Sequence, residues 1–430
     1  RSTLFPYTTL FRSRTGNEDT MTMRLTVLAT TLLLTCAGSN AGEGVTATTL
    51  VPGTPMHGIQ GLAWGADGML YAGAISAQKI SRIDPRKGTV DVVVESPNGE
   101  ADDLAIASDG TLAWTAIASG ELRIRRPGEA MRVLAKGLPG INPVAFRRDG
   151  RLVAGQLGPV NALYEFDPTG RKPPRKITTE VDNLNSFEFG ADGRLYGPFW
   201  QAGVLVAIDI DSGAVTRLAT GLNTPSAVSL DSRGHLISVD YNTGDVRRTD
   251  PASGASKVIV TLQPPLDNLA VGDDDTIYVS DTARSGVIAV DPSTGASRRI
   301  VGGEFSTPGG MKMAMLDGRE TLIVADSTGY RFVDPADGKV TRPRFDMSVG
   351  ASLDVAASDD VVAMTDVRFG RVYKVDRRTR KLLQDVRDFK GPYGVLILEG
   401  GDLLVADYLA GTLVDRKSTR LNSSHRTGSR

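Results

Sequence analysis

Cysteine is nearly absent: Cys36 is the only one in 430 residues. It lies in an apolar leader, so the chain beyond it forms no disulfide and carries no thiol chemistry. Histidine is almost as scarce, with three. His425 falls in a terminal flank and His235 in a tight turn, which leaves His57 as the one imidazole in an informative place. Basic charge is not in excess. The formal net charge of -1 becomes -7 for residues 42–414 once the +2 of residues 1–41 and the +4 of residues 415–430 are set aside, and an acidic body excludes a nucleic-acid partner. The apolar run from Leu25 to Leu34 is too short to span a bilayer. No G-x-S-x-G, H-E-x-x-H, phosphate-loop or paired-cysteine motif occurs. The Trp-bearing repeat of quinone-cofactor propellers and the GH…WD signature are missing as well.

What is present is a repeat. Leu266 to Val301 reads as four short strands (DNLAV, TIYVS, GVIAV, SRRIV) separated by DDD, a small Arg-Ser-Gly loop and DPSTG, all turn-forming compositions. A lone four-stranded meander leaves a face uncovered and needs copies of itself to stack on. Copies begin near Gln60, Asp102, Asn142, Asn185, Ser226, Gly309, Ala351 and Tyr393. The second-turn residue recurs at Gly68, Gly110, Gly150, Gly193, Gly234, Asp275, Gly318, Asp360 and Gly401, always 40 to 43 residues apart. This is the length of a propeller blade. The chain is therefore expected to be an all-β propeller of eight to nine blades of about 42 residues. Gly44 to Gly53 resembles a fourth strand, and the ninth repeat offers three, so the N- and C-terminal strands are expected to share one blade and close the ring.

The ends fit no blade. Residues 1–20 and 415–430 read as adapter-like, non-native flanks, and residues 21–41 as a signal peptide starting at Met21 and cleaved near Ala41. The propeller then occupies 42–414, in a secreted or periplasmic protein with no membrane span, expected to be a monomer. Lipidation through Cys36 is the rival to soluble export.

Residues that open the first strand of each blade converge on the mouth of the central channel. On the pattern x-G-[L/V]-A, position x is Gln60, Asp102, Asn142, Asn185, Ser226 and Asp267 in the first six repeats, then Gly309, Ala351 and Tyr393. Carboxylate and amide oxygens gathered in this way suit a hard divalent cation such as Ca²⁺. Asp102, Asn142, Asn185 and Asp267 are the expected metal ligands. Asp267 or Asp102 is the expected base, with His57 facing the same mouth, and Gln60, Ser226 and Tyr393 are the expected substrate contacts. By contrast, Asp240, Asp281, Asp326, Asp366 and Asp407, which end second strands, recur too regularly for one site and read as acceptors for loop amides. Asp-Pro pairs such as Asp84-Pro85 and Asp291-Pro292 read as turn starters. Trp64, Trp114 and Trp200 read as packing between blades.

The N/D-G-L-A-like strand starts, DG turns, YVSD-like second strands, RIDP turns and the stretch Asp240 to Val246 (DYNTGDV) resemble the gluconolactonase, senescence-marker-protein and luciferin-regenerating-enzyme family of propellers. The resemblance covers most of residues 57–414. It implies one divalent cation held by a Glu, two Asn and an Asp, and hydrolysis of sugar lactones. Asn142 and Asn185 match the amide ligands, Asp102 stands for an acidic one, and the family's Asp falls at Ser226, with Asp267 one blade on. The family's ring has six blades, whereas nine repeats are counted here. The expected activity is cation-dependent hydrolysis of a lactone or ester. Its rivals are a non-catalytic binding or scaffold propeller, and a lyase resembling those that open streptogramins, with His57 as base.

Overall fold

The computed structural model describes residues 48–417, apart from residues 55, 159, 344 and 346–348. The leader with its cleavage point, Cys36, His425 and most of both flanks lie outside the described residues. No helix among the described residues is long and apolar enough to cross a membrane.

Alternating short strands and tight turns build nine antiparallel sheets, one per repeat, as the period requires. Eight have four strands in sequence order and the ninth has three. In blade 6 the strands are Leu266–Val271, Ile277–Asp281, Gly286–Val290 and Ser297–Val301. The second strand is buried throughout and the fourth is largely exposed, so burial falls from the hub outward. The turn before the second strand needs a left-handed residue, met by Gly68 (φ 72°) and equally by Asp275 (φ 64°). Aspartates of the Asp-Pro turns accept the amides that follow them: Asp84 takes those of Arg86 and Lys87, and Asp291 those of Ser293 and Thr294. Those ending second strands behave alike, Asp407 taking the amides of Lys390, Gly391 and Ala410.

The apolar clusters between blades show how the wheel closes. Six of them join blades 1 to 2, 2 to 3, 3 to 4, 4 to 5, 5 to 6, and 6 back to 1. At the closing seam Met56, Ile59 and Leu62 pack with Ala270, Tyr278 and Val287, and Trp64 stacks on Tyr278 with centroids 5.4 Å apart. Two further clusters join blades 7 to 8 and 8 to 9. Residues 59–301 thus form a closed six-bladed ring, and residues 311–416 a three-bladed arc beside it.

This corrects the expected closure. Blade 1 is complete with its own four strands, Ile59–Trp64 to Val90–Val94. Among the described residues, the segment before it adds no strand to blade 9. Instead Leu50 passes over the Gly338 turn of blade 7, and the Thr54 hydroxyl reaches the carbonyl of Ser285 in blade 6. The ring is held shut by face-to-face packing rather than by a shared sheet. The last strand, Thr412–Arg416, also runs past the expected boundary at residue 414.

Ring and arc meet through polar groups. Arg331 of blade 7, fully buried, lies 2.6 Å from Asp326 and donates to the carbonyl of Ala283 in blade 6. Arg342 donates to the carbonyl of Pro264 and lies 3.8 Å from Asp281.

Candidate functional site

Gln60, Asp102, Asn142, Asn185, Ser226 and Asp267 each stand at the start of the first strand of their blade, at the same end of the six inner strands of the ring. Asp102 and Asn185 are buried; Asn142, Asp267 and Gln60 are partly so. Asp102 and Asn185 are anchored by their backbone amides, to the carbonyls of Thr115 and Pro198, and Asn142 by its carbonyl, which receives the Thr115 hydroxyl. The side-chain oxygens of Asp102, Asn142, Asn185 and Asp267 make no hydrogen bond to any described residue. The mouth therefore carries two carboxylates and two amides whose polar ends point to no partner among the described residues.

The carboxylates sense each other. Burial, then the charges of Asp267, Asp103 and Glu100, hold the Asp102 carboxyl well above its ordinary range. Burial pushes Asp267 up to about 7. The one cation opposing both shifts is Arg368, on the exposed turn after the second strand of blade 8. The arc thus sets a positive charge against the ring's acidic mouth.

One residue further along the same strands lies a second set that the repeat alignment passed over. Asn268 of blade 6 donates to Asp103 of blade 2 at 3.0 Å, and Ser186 of blade 4 donates to Asn268 at 3.2 Å. Asp103 also accepts the amides of Leu104 and of Val144 in blade 3. Thr115 and Ser280 hydroxyls take the amides of Asp103 and Asn268. All three residues are buried, and burial raises Asp103 to about 7 against its hydrogen bonds. This set is satisfied within the protein, so it ties alternate blades together across the axis. The signal was in the chain: blades 1, 3 and 5 carry Gly61, Pro143 and Ala227 at this position, whereas blades 2, 4 and 6 carry Asp103, Ser186 and Asn268.

The remaining expected residues are placed differently. Ser226 is fully buried and its hydroxyl donates to the carbonyls of Val239 and Leu266, so it has no free face for a ligand. Tyr393 opens blade 9, outside the ring, where it is 55% exposed and tilted against Tyr408. His57 is exposed on the loop entering blade 1, its carbonyl taking the amide of Ala77. In blade 8 the position equivalent to Asp102 is Leu353 rather than Ala351, and the one equivalent to Asp103 is Asp354. Asp354 accepts the amide of Val395 in the next blade and its own amide donates to the Thr365 hydroxyl, repeating the bonds of Asp103. Trp114 is buried and donates to the Asn98 carbonyl, Trp64 packs at the seam, and Trp200 tilts against Tyr241.

The donor set suits a hard cation in chemistry, being all oxygen with two acidic members and no competing hydrogen bonds. No group of three or more His, Cys, Asp or Glu side chains among the described residues is arranged to hold a metal ion, so a cation here would depend on the two amides.

No family model and no curated protein matches the chain. Among solved structures it is similar to a catalytically inactive virginiamycin B lyase from Staphylococcus aureus with quinupristin, at 16% identity over 64% of this chain and 94% of that one, TM-score 0.46. It is similar also to a gluconolactonase from Xanthomonas campestris, at 17% identity over 54% and 85%, TM-score 0.46. A third is the calcium-binding protein regucalcin from Agrobacterium tumefaciens, at 18% identity over 58% and 92%, TM-score 0.43. The likeness is one of fold.

Proposed function

We propose that the channel mouth of the six-bladed ring is a hydrolytic site for a small lactone or ester. The observation that carries this reading is the Asp102–Asp267 pair, two neighbouring carboxyls with raised pKa values and no hydrogen-bond partner among the described residues. A structural pair would be bonded, as Asp103 is.

Two carboxyls that resist joint ionisation divide into one acid and one base near neutral pH. Asp267, raised to about 7, takes a proton from the attacking water as the oxygen adds to the carbonyl carbon. Asp102, held protonated by burial and by Asp267, donates to the leaving oxygen as the ring bond breaks. Asn142 and Asn185 orient the acyl group through their amides. A divalent cation, Ca²⁺ by the all-oxygen set, would be held by Asp102, Asn142, Asn185 and Asp267; with it bound both carboxyls would be ionised, and its Lewis-acid chemistry would take the place of the Asp102 proton.

Turnover of a panel of sugar lactones and simple esters tests this, with and without chelator, together with Asp102→Ala and Asp267→Ala and the metal content of the purified protein. Retained turnover in both variants would place the chemistry elsewhere. Ligand binding without turnover would favour a binding propeller. Turnover that depends on His57 and releases an unsaturated product without water would favour the lyase.

A further inference from the structure

A guanidinium carries its charge at any ordinary pH, so a buried arginine needs both hydrogen-bond acceptors and a counter-charge. Three arginines gather around the turn at residues 281–285 of blade 6, where ring and arc meet. Arg331 of blade 7 is fully buried. Its Nη2 lies 2.6 Å from Asp326 and donates to the Ala283 carbonyl at 3.1 Å, and its Nη1 donates to the Tyr330 carbonyl. Arg342, with a side chain only 6% exposed, donates through Nη2 to the Pro264 carbonyl. Arg284 donates through Nη1 to the side chain of Gln263 at 3.3 Å. Each of the three keeps one nitrogen that is shut away from solvent and makes no hydrogen bond to any described residue: Nε of Arg331, Nε of Arg284 and Nη1 of Arg342.

The neighbouring carboxylates do not answer these donors. Asp281 lies 3.8 Å from Arg342 Nη1 and 3.9 Å from Arg284 Nη1, beyond hydrogen-bond reach. Asp326 accepts the amides of Ser306 and Thr307 besides facing Arg331. Glu304, on the exposed rim, sits closer to Arg299 (3.2 Å) than to Arg284 (3.7 Å). Among the described residues, three guanidiniums therefore face two buried carboxylates. The surplus is felt by the arginines themselves. Burial, then the charge of Arg331, brings Arg342 down to about 10, and burial holds Arg331 below its ordinary range with Arg284 adding to the effect.

We propose that one small monovalent anion, of halide size, binds between ring and arc and accepts the N–H groups of Arg284, Arg331 and Arg342. A water molecule accepts such donors but leaves the extra charge standing. Phosphate or a substrate carboxylate would need an opening to solvent, which none of the three nitrogens has. The anion ties blade 6 to blade 7, so it serves the docking of the arc and is independent of the chemistry at the channel mouth.

Crystals of the whole chain soaked in sodium bromide test this, because bromide scatters anomalously. The expected result is a bromide peak in contact with all three arginines. In solution the earliest thermal transition should climb with the logarithm of bromide concentration, and should not do so in methanesulfonate at the same ionic strength. Arg342→Met removes one donor together with the surplus charge, and should weaken the affinity for bromide by about tenfold or more. Arg284→Gln, at a partly exposed position, does the same if Arg342→Met does not fold. If neither folds, the bromide density of the parent chain decides alone. Density that shows no bromide at the three arginines overturns the inference. So does an equal response to methanesulfonate, or a folded variant whose bromide dependence is unchanged.

Discussion

Asn268 in blade 6 and Asp103 in blade 2 meet across the channel at 3.0 Å, although 165 residues separate them in the chain. The bond spans the ring, and Ser186 adds blade 4 to it. Asp103→Ala would leave Asn268 and the Val144 amide without their partner in a buried site. The expected loss is about 2–4 kcal/mol, read from urea unfolding. Asp103→Asn keeps shape and some of the bonds and should cost less than half as much. Equal losses in the two variants would mean that the hydrogen bonds are not what matters there.

Stability should fall as pH rises from about 4 toward 7. In the unfolded chain these carboxyls titrate near 4, whereas burial raises Asp103 and Asp267 to about 7 and holds Asp102 well above its ordinary range. Between those limits the native state holds protons that the unfolded state has released, so the slope is negative. For Asp103 alone the full effect is on the order of 4 kcal/mol. Chemical denaturation in chelator from pH 4 to 8 checks the sign. A curve that rises over this interval would show that the carboxyls are ionised in the folded state.

Asp102→Asn removes a charge that its surroundings resist. At pH 8 the variant should be more stable than the parent by about 1–3 kcal/mol, and at pH 4.5 nearly equal to it. Its turnover on any active lactone should be at least a hundredfold lower. A gain in stability together with a loss of activity is what separates a working carboxyl from a structural one.

Arg331→Met tests the junction between ring and arc. Asp326 would lose the guanidinium 2.6 Å away while remaining fully buried, at a cost of about 3–5 kcal/mol. Thermal scans should then show an early transition for the arc, with proteolysis cutting first after residue 301. Replacing Asp326 and Arg331 together by apolar residues should recover most of the loss.

Residues 48–301 alone should fold. All six blade interfaces of the ring lie within them. The fragment should unfold in one transition. An unfolded fragment would mean that the arc is needed to hold the seam.

The fold was readable from the period because turns are local: Asp-Pro pairs and the left-handed positions at Gly68 and Asp275 specify hairpins by themselves. Closure is not local. Nothing in the spacing of strand starts says that Trp64 stacks on Tyr278 more than two hundred residues away, so nine repeats read as one wheel. The six come from which faces match. Residue type and blade register put Asp102, Asn142, Asn185 and Asp267 at equivalent strand starts, and of these Asp102 and Asp267 sense each other. Asp103 and Asn268 were passed over because the pattern fixed attention one residue earlier. Arg368 was out of reach, since its approach depends on how the arc docks.

The seam between blades 6 and 1 joins complete sheets, not strands borrowed from opposite termini. The hub consequently begins and ends at neighbouring points on its own rim, and whatever follows residue 301 hangs from it like an appendage. Such a wheel tolerates an exchanged tail: the chemistry at its axis stays put while the attached piece, and the charge that piece leans over the opening, is free to vary.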